Sequence, residues 1–237
     1  MIFCIDSGNT RIKWGMHDGH AWVGQGVCRQ GRAADLSELV VAWPEPGRIM
    51  LSNVAGPNAQ AAILQALGAW SKAVTAVRAT ACAGGVTNGY RQPETLGADR
   101  WCALVGARRR LGRAVVVVGA GTATTVDILD GNGCFLGGLI LPGLELMRES
   151  LARGTAGLAR ASGQVVTLPD NTADAIASGA VEATAGAVER ASRRLGNAPC
   201  LLFGGAATPL KAALALEVIE EPLLVLEGLH VLASDCD

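Results

Sequence analysis

The stretch MIFCIDSGNTRIKWGMH, residues 1–17, contains the pattern that decides the fold. A short apolar run at residues 2–5 ends in the turn Asp6-Ser7-Gly8-Asn9-Thr10, and a second run with strand character follows at residues 11–16. Another turn leads to a third apolar segment at residues 21–27. The beginning of the chain therefore predicts three strands joined by tight turns, with an acidic residue at the end of the first strand.

The same order of elements begins again near residue 114. The predicted strands are residues 115–118, 123–129 and 134–141, and a helix through Leu151 follows. Aligning the two copies places Asp6-x-Gly8-Asn9-Thr10 over Gly119-x-Gly121-Thr122-Ala123. This repeat predicts a duplicated α/β fold of two similar halves, residues 1–112 and 113–237, with a cleft between them. Coincidence between two unrelated hairpins is the alternative.

The remaining segments complete an alternation of helices and strands. Helices are predicted at residues 36–42, 59–70, 93–111 and 171–195, strands at residues 48–52 and 200–203, and a last apolar segment at residues 223–232. Asn171, followed three residues later by Asp174, is a typical helix start.

The composition excludes several classes of protein. The 237 residues carry a formal net charge of −1, so the chain as a whole offers no electrostatic attraction to nucleic acid or to an anionic membrane. The basic run at residues 108–113 is interpreted as a solvated helix end. Seven cysteines without a C-x-x-C pair, and only three histidines, do not predict a zinc site. We expect reduced thiols and a cytoplasmic protein, because the N-terminus lacks a signal peptide and no apolar stretch approaches the ~20 residues that span a bilayer.

Two glycine turns are candidate phosphate cradles, because small residues let backbone N–H groups approach phosphate oxygens. The turn at Gly119 is followed by a β-branched segment, whereas a dinucleotide-binding fold requires a helix there. The G-x-x-x-x-G-K-[ST] loop is absent from the sequence. Paired hairpin turns are instead typical of actin-like and sugar-kinase ATPases, in which they face each other across the nucleotide phosphates.

Within such a clamp, the polar residues of the turns have distinct uses. Asp6 could hold Mg²⁺ directly or through water, Lys13 could stabilise charge on the transferred phosphoryl group, and Asn9, Thr10 and Thr122 could donate hydrogen bonds. The alternative for Asp6 is a turn residue that bonds to its own backbone.

Asp99 is a second candidate, in Gly97-Ala98-Asp99-Arg100-Trp101. In the first turn of a helix the dipole would keep its carboxylate ionised, and it could accept the proton of a substrate hydroxyl. Arg100 could bind a substrate carboxylate through its planar guanidinium. Taken alone, the pair could equally be an ordinary helix-start aspartate beside a solvated arginine.

Several blocks together resemble the type III pantothenate kinase family, in family order from residue 6 to residue 229. The blocks are Asp6-x-Gly8-Asn9-Thr10-x-x-Lys13, Tyr90-x-x-Pro93-x-x-Leu96-Gly97-Ala98-Asp99-Arg100-Trp101, Gly121-Thr122-Ala123-Thr124-Thr125-Val126-Asp127, Gly137-Gly138-x-Ile140-x-Pro142-Gly143, Asn171-Thr172-x-x-Ala175-Ile176-x-Ser178-Gly179 and Glu227-Gly228-Leu229.

The resemblance implies an actin-like, ribonuclease-H-like fold and ATP-dependent phosphorylation of the primary hydroxyl of pantothenate, the first step toward coenzyme A. It implies that Asp99 is the general base and that Asp6, Ser7, Gly8, Asn9, Thr10, Arg11, Ile12, Lys13 and Thr122 contact ATP. It further implies that Tyr90, Gly97, Ala98, Asp99 and Arg100 shape the pantothenate pocket. Thr172 would reach pantothenate across the interface of a homodimer. The cofactors implied are Mg²⁺ and a monovalent cation, K⁺ or NH₄⁺.

One position departs from the family pattern. The family has an acidic residue three positions before the residue that matches Thr122, where it helps to bind the monovalent cation, and this chain has Gly119. A cation held by backbone carbonyls, or no cation site, remain open. A non-catalytic regulatory relative and another small-molecule kinase of the same superfamily are the alternative functions. The sequence assigns no role to Glu145 or Arg148.

Overall fold

The computed structural model describes residues 1–155, 157–158 and 162–235. The chain divides into two compact units: residues 1–110 together with the segment from Leu223 onward, and residues 111–222. The last helix of the chain therefore packs with the first unit. The division into halves at residue 112, made from the sequence, stays a prediction.

The first unit is built on one five-stranded sheet. Its strands and helices are β1 (Ile2–Ser7), β2 (Arg11–His17), β3 (Trp22–Arg29), α1 (Ser37–Ala42), β4 (Arg48–Asn53), α2 (Pro57–Leu67), β5 (Val74–Ala76), β6 (Cys82–Ala83), β7 (Val86–Asn88) and α3 (Ala98–Leu111). The sheet order is β3-β2-β1-β4-β5, with β1 antiparallel to β2 and parallel to β4. Strands β6 and β7 pair antiparallel with each other and are not part of this five-stranded sheet.

The second unit repeats this arrangement. Its elements are β8 (Val115–Ala120), β9 (Ala123–Leu129), β10 (Cys134–Pro142), α4 (Leu144–Gly154), α5 (Thr172–Arg194), β11 (Cys200–Phe203), α6 (Ala207–Ala213) and β12 (Val218–Glu220), and the chain ends with α7 (Leu224–Ser234) in the first unit. Strands β12-β11-β8-β9-β10 lie in this order, with β8 antiparallel to β9 and parallel to β11. Three antiparallel strands followed by parallel ones therefore occur twice, so the duplicated α/β fold predicted from the repeat is confirmed.

Each unit has its own apolar core. The first contains Phe3, Ile5, Ile12, Leu51 and Trp70, and the second contains Val116, Val118, Val126, Val188 and Leu202. The helix start predicted at Asn171 is confirmed, because its side chain accepts a hydrogen bond from the amide of Asp174.

Helix α7 packs closely on α3 within the first unit. A Cβ atom built on Gly228 would lie 2.9 Å from the Cα atom of Cys102 and closer still to its carbonyl oxygen. Only a glycine lets the two backbones approach in this way. Gly228 thereby determines where α3, which carries Asp99, lies in this unit.

Two predicted helices differ from the structure. The segment 93–111 is interrupted: residues 93–95 form a 3₁₀ turn, Leu96 is extended, and α3 begins only at Ala98. The segment 59–70 is α-helical only to Leu67, and a 3₁₀ helix follows over residues 68–73. The short strands β5, β6, β7 and β12 were not predicted, because two or three residues carry too little periodicity.

The basic run ends a helix, as the sequence indicated. Arg108, Arg109 and Arg110 occupy the last turn of α3, where their positive charge complements the helix dipole. Across the part of the chain that the structure describes, no helix combines the length and the apolar character needed to cross a membrane.

Candidate active site

The carboxylate of Asp6 lies at the carboxyl end of β1, where the apolar run of this strand stops. Lys13 on β2 is its direct partner in the antiparallel register, and Ser52 on β4 is its partner in the parallel register. The Ser52 hydroxyl donates a hydrogen bond to Oδ1 of Asp6 over 3.3 Å. Neighbouring strands thus place a cation on one side of this carboxylate and a hydroxyl on the other.

The surroundings of Asp6 oppose its ionisation. Burial, followed by the negative charge of Asp99, raises its pKa to about 7, while the Lys13 ammonium and the Ser52 hydroxyl act in the opposite direction. The influence of Asp99 also shows that the two predicted carboxylates lie close together. A cation brought to Asp6 would favour the charged carboxylate, which is the behaviour expected of a residue that binds Mg²⁺ with a nucleotide.

Asp99 is held at the start of α3 by its own helix. Its Oδ1 atom accepts a hydrogen bond from the amide of Arg100 at 2.8 Å. Burial raises the pKa of Asp99, and that amide and the Arg100 guanidinium oppose the shift. A Cβ on Gly97 would come within 2.7 Å of the same Oδ1 atom, so glycine at this position leaves room for the carboxylate.

Arg100 is a buried cation, with 6% of its surface exposed. Its Nη1 atom donates to the Tyr90 hydroxyl at 3.0 Å, and its Cζ atom lies 5.7 Å from the centre of the Tyr90 ring. Asn88 orders the preceding loop: its side chain donates to the carbonyl of Pro93 and accepts from the amide of Tyr90. Tyr90, Gly97, Asp99 and Arg100, predicted as substrate residues, therefore lie in one local arrangement with Ala98.

The other predicted ATP residues of this unit lie around the turn between β1 and β2. Gly8 closes the turn by donating its amide to the carbonyl of Arg11 at 3.1 Å. Asn9, Thr10 and Arg11 are exposed. Ser7 is buried and its hydroxyl bonds to Gln30 at 3.4 Å. Ile12 is fully buried in the core, so its side chain serves the fold and only its backbone is available to a ligand.

The corresponding turn of the second unit lies between β8 and β9. Thr122 is exposed at its tip, and its carbonyl accepts a hydrogen bond from the amide of Gly143 at 2.9 Å, which links this turn to the Pro142-Gly143 motif. A strand rather than a helix follows the turn, which agrees with the exclusion of a dinucleotide-binding site. Thr124 on β9 has a buried hydroxyl that finds no hydrogen-bond partner among the residues that the structure describes.

The position of Gly119 leaves no room for a carboxylate. A Cβ on this residue would lie 2.8 Å from Cζ of Phe203, its neighbour on β11, and 3.0 Å from Oγ1 of Thr125. The aromatic ring occupies the space that an acidic side chain would need. This position therefore offers no side-chain carboxylate for the monovalent cation that the resemblance implies.

Thr172 begins α5 and lines a cavity of about 820 Å³ in the second unit. The cavity lies between α4 and α5, with Met147, Leu151 and Ile176 among its apolar walls. Glu145 and Arg148 are also on α4, where they form an ion pair at 3.6 Å. Among the described residues, no cluster of three or more His, Cys, Asp or Glu side chains is arranged for a metal ion.

Sequence reasoning did not single out Ser52, Asn88 or Phe203. The signal for Ser52 was a polar residue that ends the apolar run of β4. Phe203 acts through a contact with Gly119, which is distant in sequence. Asn88 acts through hydrogen bonds within an irregular loop, and the sequence pattern gives no sign of either.

Comparisons with known proteins agree on one family. A family model described as type III pantothenate kinase matches residues 2–194. A type III pantothenate kinase of Dechloromonas aromatica is 51% identical over 235 residues, covering 98% of this chain and 99% of the relative. One from Aromatoleum aromaticum is 48% identical over 238 residues, covering 99% and 98%.

Solved structures are similar in fold. A Campylobacter jejuni protein, provisionally described as a Baf family transcriptional activator, superposes with a TM-score of 0.68 at 19% identity, covering 99% of this chain and 98% of that one. A Sinorhizobium meliloti protein, provisionally described as a 2-dehydro-3-deoxygalactonokinase, gives 0.62 at 16% identity and covers 98% of each chain. At these identities the likeness concerns the fold alone, which is the actin-like fold that the sequence predicted.

Proposed function

Because this chain belongs to the type III pantothenate kinase family and phosphorylates pantothenate with ATP, we propose that Asp99 is its general base. The observation that carries the proposal is the pair of neighbouring carboxylates, Asp6 and Asp99, which differ in their immediate partners. Asp6 has the Lys13 ammonium and the Ser52 hydroxyl as neighbours, which suits a carboxylate on the metal–nucleotide side. Asp99 has the Arg100 amide and guanidinium, which suits a carboxylate on the substrate side.

The proposed reaction is an in-line phosphoryl transfer. Asp99 accepts the proton of the pantothenate primary hydroxyl as the hydroxyl oxygen bonds to the γ-phosphorus of ATP and the bond from that phosphorus to ADP breaks. The products are 4′-phosphopantothenate and ADP. The hydrogen bond from the Arg100 amide and the charge of its guanidinium both favour the ionised form of Asp99. Asp99 can therefore accept a proton although burial raises its pKa.

The remaining residues bind and orient the two substrates. Residues 6–13 and Thr122 contact ATP, and Lys13 stabilises negative charge on the transferred group. Mg²⁺, held at Asp6, would neutralise phosphate charge. Tyr90 and the segment 97–100 shape the pantothenate pocket. Arg100 is held on one side by Tyr90, so its guanidinium is oriented for a polar group of pantothenate.

No step uses a monovalent cation. Phe203 fills the space beside Gly119, and the chain supplies no carboxylate at that point. We therefore propose that this enzyme turns over without K⁺ or NH₄⁺.

The active form of the enzyme is proposed to be a homodimer. The groove between α4 and α5 has apolar walls, and Leu151 beside it is 39% exposed. A second copy seated on this groove would bring Thr172 to the partner's pantothenate site. The proposal predicts that a variant unable to dimerise loses turnover, and a fully active monomer would exclude it. The cytoplasm is the proposed compartment, since the six cysteines of the described chain are free thiols.

ADP release by the purified protein with Mg-ATP, measured with and without pantothenate, tests the proposed function. Pantothenate-dependent release is expected. Release stimulated instead by a sugar or a short acid would indicate another kinase of the superfamily. A folded protein that binds Mg-ATP without turnover would indicate a regulatory relative.

A further inference from the structure

Ser52 is a fully buried hydroxyl at the carboxyl end of β4. Strands β1 and β4 are parallel and in register, so Ser52 and Asp6 end neighbouring strands at the same edge of the sheet. The hydroxyl donates to Oδ1 of Asp6 at 3.3 Å. An ionised carboxylate can only accept hydrogen bonds, so the direction of this bond is fixed when Asp6 is charged.

The position of Ser52 is not explained by the fold. Ile49, Met50 and Leu51 precede it on the same strand and are buried apolar residues. Desolvating a hydroxyl is unfavourable unless it is hydrogen-bonded, so an apolar residue would suit a purely structural role here. The group that satisfies the Ser52 hydroxyl is the Asp6 carboxylate, which the proposed function assigns to the ATP side of the site.

The bond matters because the Asp6 carboxylate has one polar neighbour on each flanking strand, Lys13 on β2 and Ser52 on β4. Lys13 has a second task in the proposed reaction, at the transferred phosphoryl group. Ser52 has no such task, because it is fully buried and cannot contact the nucleotide directly.

We infer that Ser52 is a positioning residue for the kinase reaction: its hydroxyl holds one oxygen of Asp6 and thereby orients the other toward the Mg-nucleotide. This inference rests on the proposed role of Asp6 as the metal-side carboxylate. Ser52 itself touches neither substrate. Its effect is therefore on the binding of Mg-ATP, with little effect on proton transfer at Asp99.

The test compares Ser52→Ala with Ser192→Ala. Ser192 is another buried serine, 1% exposed, whose hydroxyl donates to the carbonyl of Ala198 at 2.6 Å, and it belongs to the other unit. Binding of a non-hydrolysable Mg-ATP analogue is measured by calorimetry. For Ser52→Ala we expect about tenfold weaker binding, as for loss of a hydrogen bond to a charged group. Ser192→Ala should bind the analogue like wild type, because its hydroxyl bonds to a backbone carbonyl of the other unit.

Three further measurements separate positioning from packing. In the kinetics of Ser52→Ala, KM for Mg-ATP should rise more than kcat falls. In an Asp6→Asn background, Ser52→Ala should have no further effect on binding, because the two residues act through one bond. Ser52→Cys, with a similar volume and a weak donor, should lie between wild type and Ser52→Ala, and it replaces the alanine variant if that one fails to fold.

The inference is overturned if Ser52→Ala binds the analogue like wild type. A loss that persists unchanged with Asp6→Asn, or an equal loss in Ser192→Ala, also overturns it. The binding measurement does not depend on turnover. Absence of pantothenate-dependent ADP release would therefore contradict the proposed function without deciding whether Ser52 positions Asp6.

Discussion

Gly97 lies so close to Asp99 that a Cβ on the glycine would stand 2.7 Å from the Oδ1 atom of the carboxylate. The absence of a side chain at one residue therefore sets the position of the proposed general base two residues later. This relationship is local to the start of α3. Gly97 thus affects the proposed proton transfer by leaving space for the Asp99 carboxylate.

Gly97→Ala should therefore displace the Asp99 carboxylate while the fold stays intact. We expect kcat to fall roughly 10–100-fold, since small misplacements of a catalytic group are costly. Steady-state kinetics and a thermal melt measure the two effects. Gly47→Ala is the matched control, because a Cβ there meets only the carbonyl of Met1 at 3.9 Å. Equal activity of both variants would show that Gly97 does not constrain Asp99.

Asp6→Asn should stabilise the ligand-free protein at alkaline pH. The folded-state pKa of about 7 lies above the ordinary value of 3.8, so the folded protein holds this proton longer and loses stability as pH rises from about 4 to 7. Above this window the charged carboxylate costs on the order of 4 kcal/mol, at about 1.4 kcal/mol per pKa unit. Asparagine removes that cost.

Thermal melts of Asp6→Asn at pH 5 and pH 8 measure this difference. The gain over wild type should be larger at pH 8, and binding of Mg-ATP should be measurably weaker. Asp18→Ala is the contrasting variant, because the amides of Ala21 and His20 lower the pKa of Asp18, and its removal should destabilise the protein at pH 8. A lower melting temperature for Asp6→Asn at pH 8 would contradict the assigned electrostatics.

Turnover is expected to be the same in K⁺ and Na⁺ buffers. Phe203 occupies the space beside Gly119, so restoring an acid by Gly119→Asp should cost about 1–3 kcal/mol of stability through overpacking. Gly119→Asp combined with Phe203→Ala should be less destabilised than the single variant. ADP release in the two buffers and melts of the three proteins check this. Activity that requires K⁺ would show that another part of the chain binds the cation.

Gly228→Ala should destabilise the first unit. The added Cβ would collide with the backbone of Cys102, and we expect a loss of about 1–3 kcal/mol. Gly186→Ala is the control: it is also helical, with no atom within 4 Å of the added Cβ, and should gain about 0.5–1 kcal/mol. Denaturant unfolding of both variants measures the difference. Similar stabilities would mean that α3 and α7 can separate without cost.

The repeat was readable from the sequence because both copies combine an apolar strand, a glycine turn and a β-branched strand. Each of these signals is local in the chain. The interruption of the helix predicted at 93–111 was not readable, because residue Leu96 is apolar and in phase with α3 although its backbone is extended.

Some residues of the candidate site were predictable from the sequence and others were not. Asp6 and Asp99 stand at the ends of recognisable elements, and the fold brings them together. Ser52 and Phe203 were missed because their effect depends on pairing between strands distant in sequence. Ile12 was included with the ATP motif, yet strand alternation places its side chain in the core.

The central claim is that Asp99 takes the proton of the substrate hydroxyl, and one comparison tests it most directly. Asp99→Asn and wild type are assayed for pantothenate-dependent ADP release, while calorimetry follows the binding of pantothenate and of a non-hydrolysable Mg-ATP analogue. The account predicts a fall in kcat of roughly 10²–10⁴-fold with both ligands still bound. Near-normal turnover by a folded Asp99→Asn protein would contradict it.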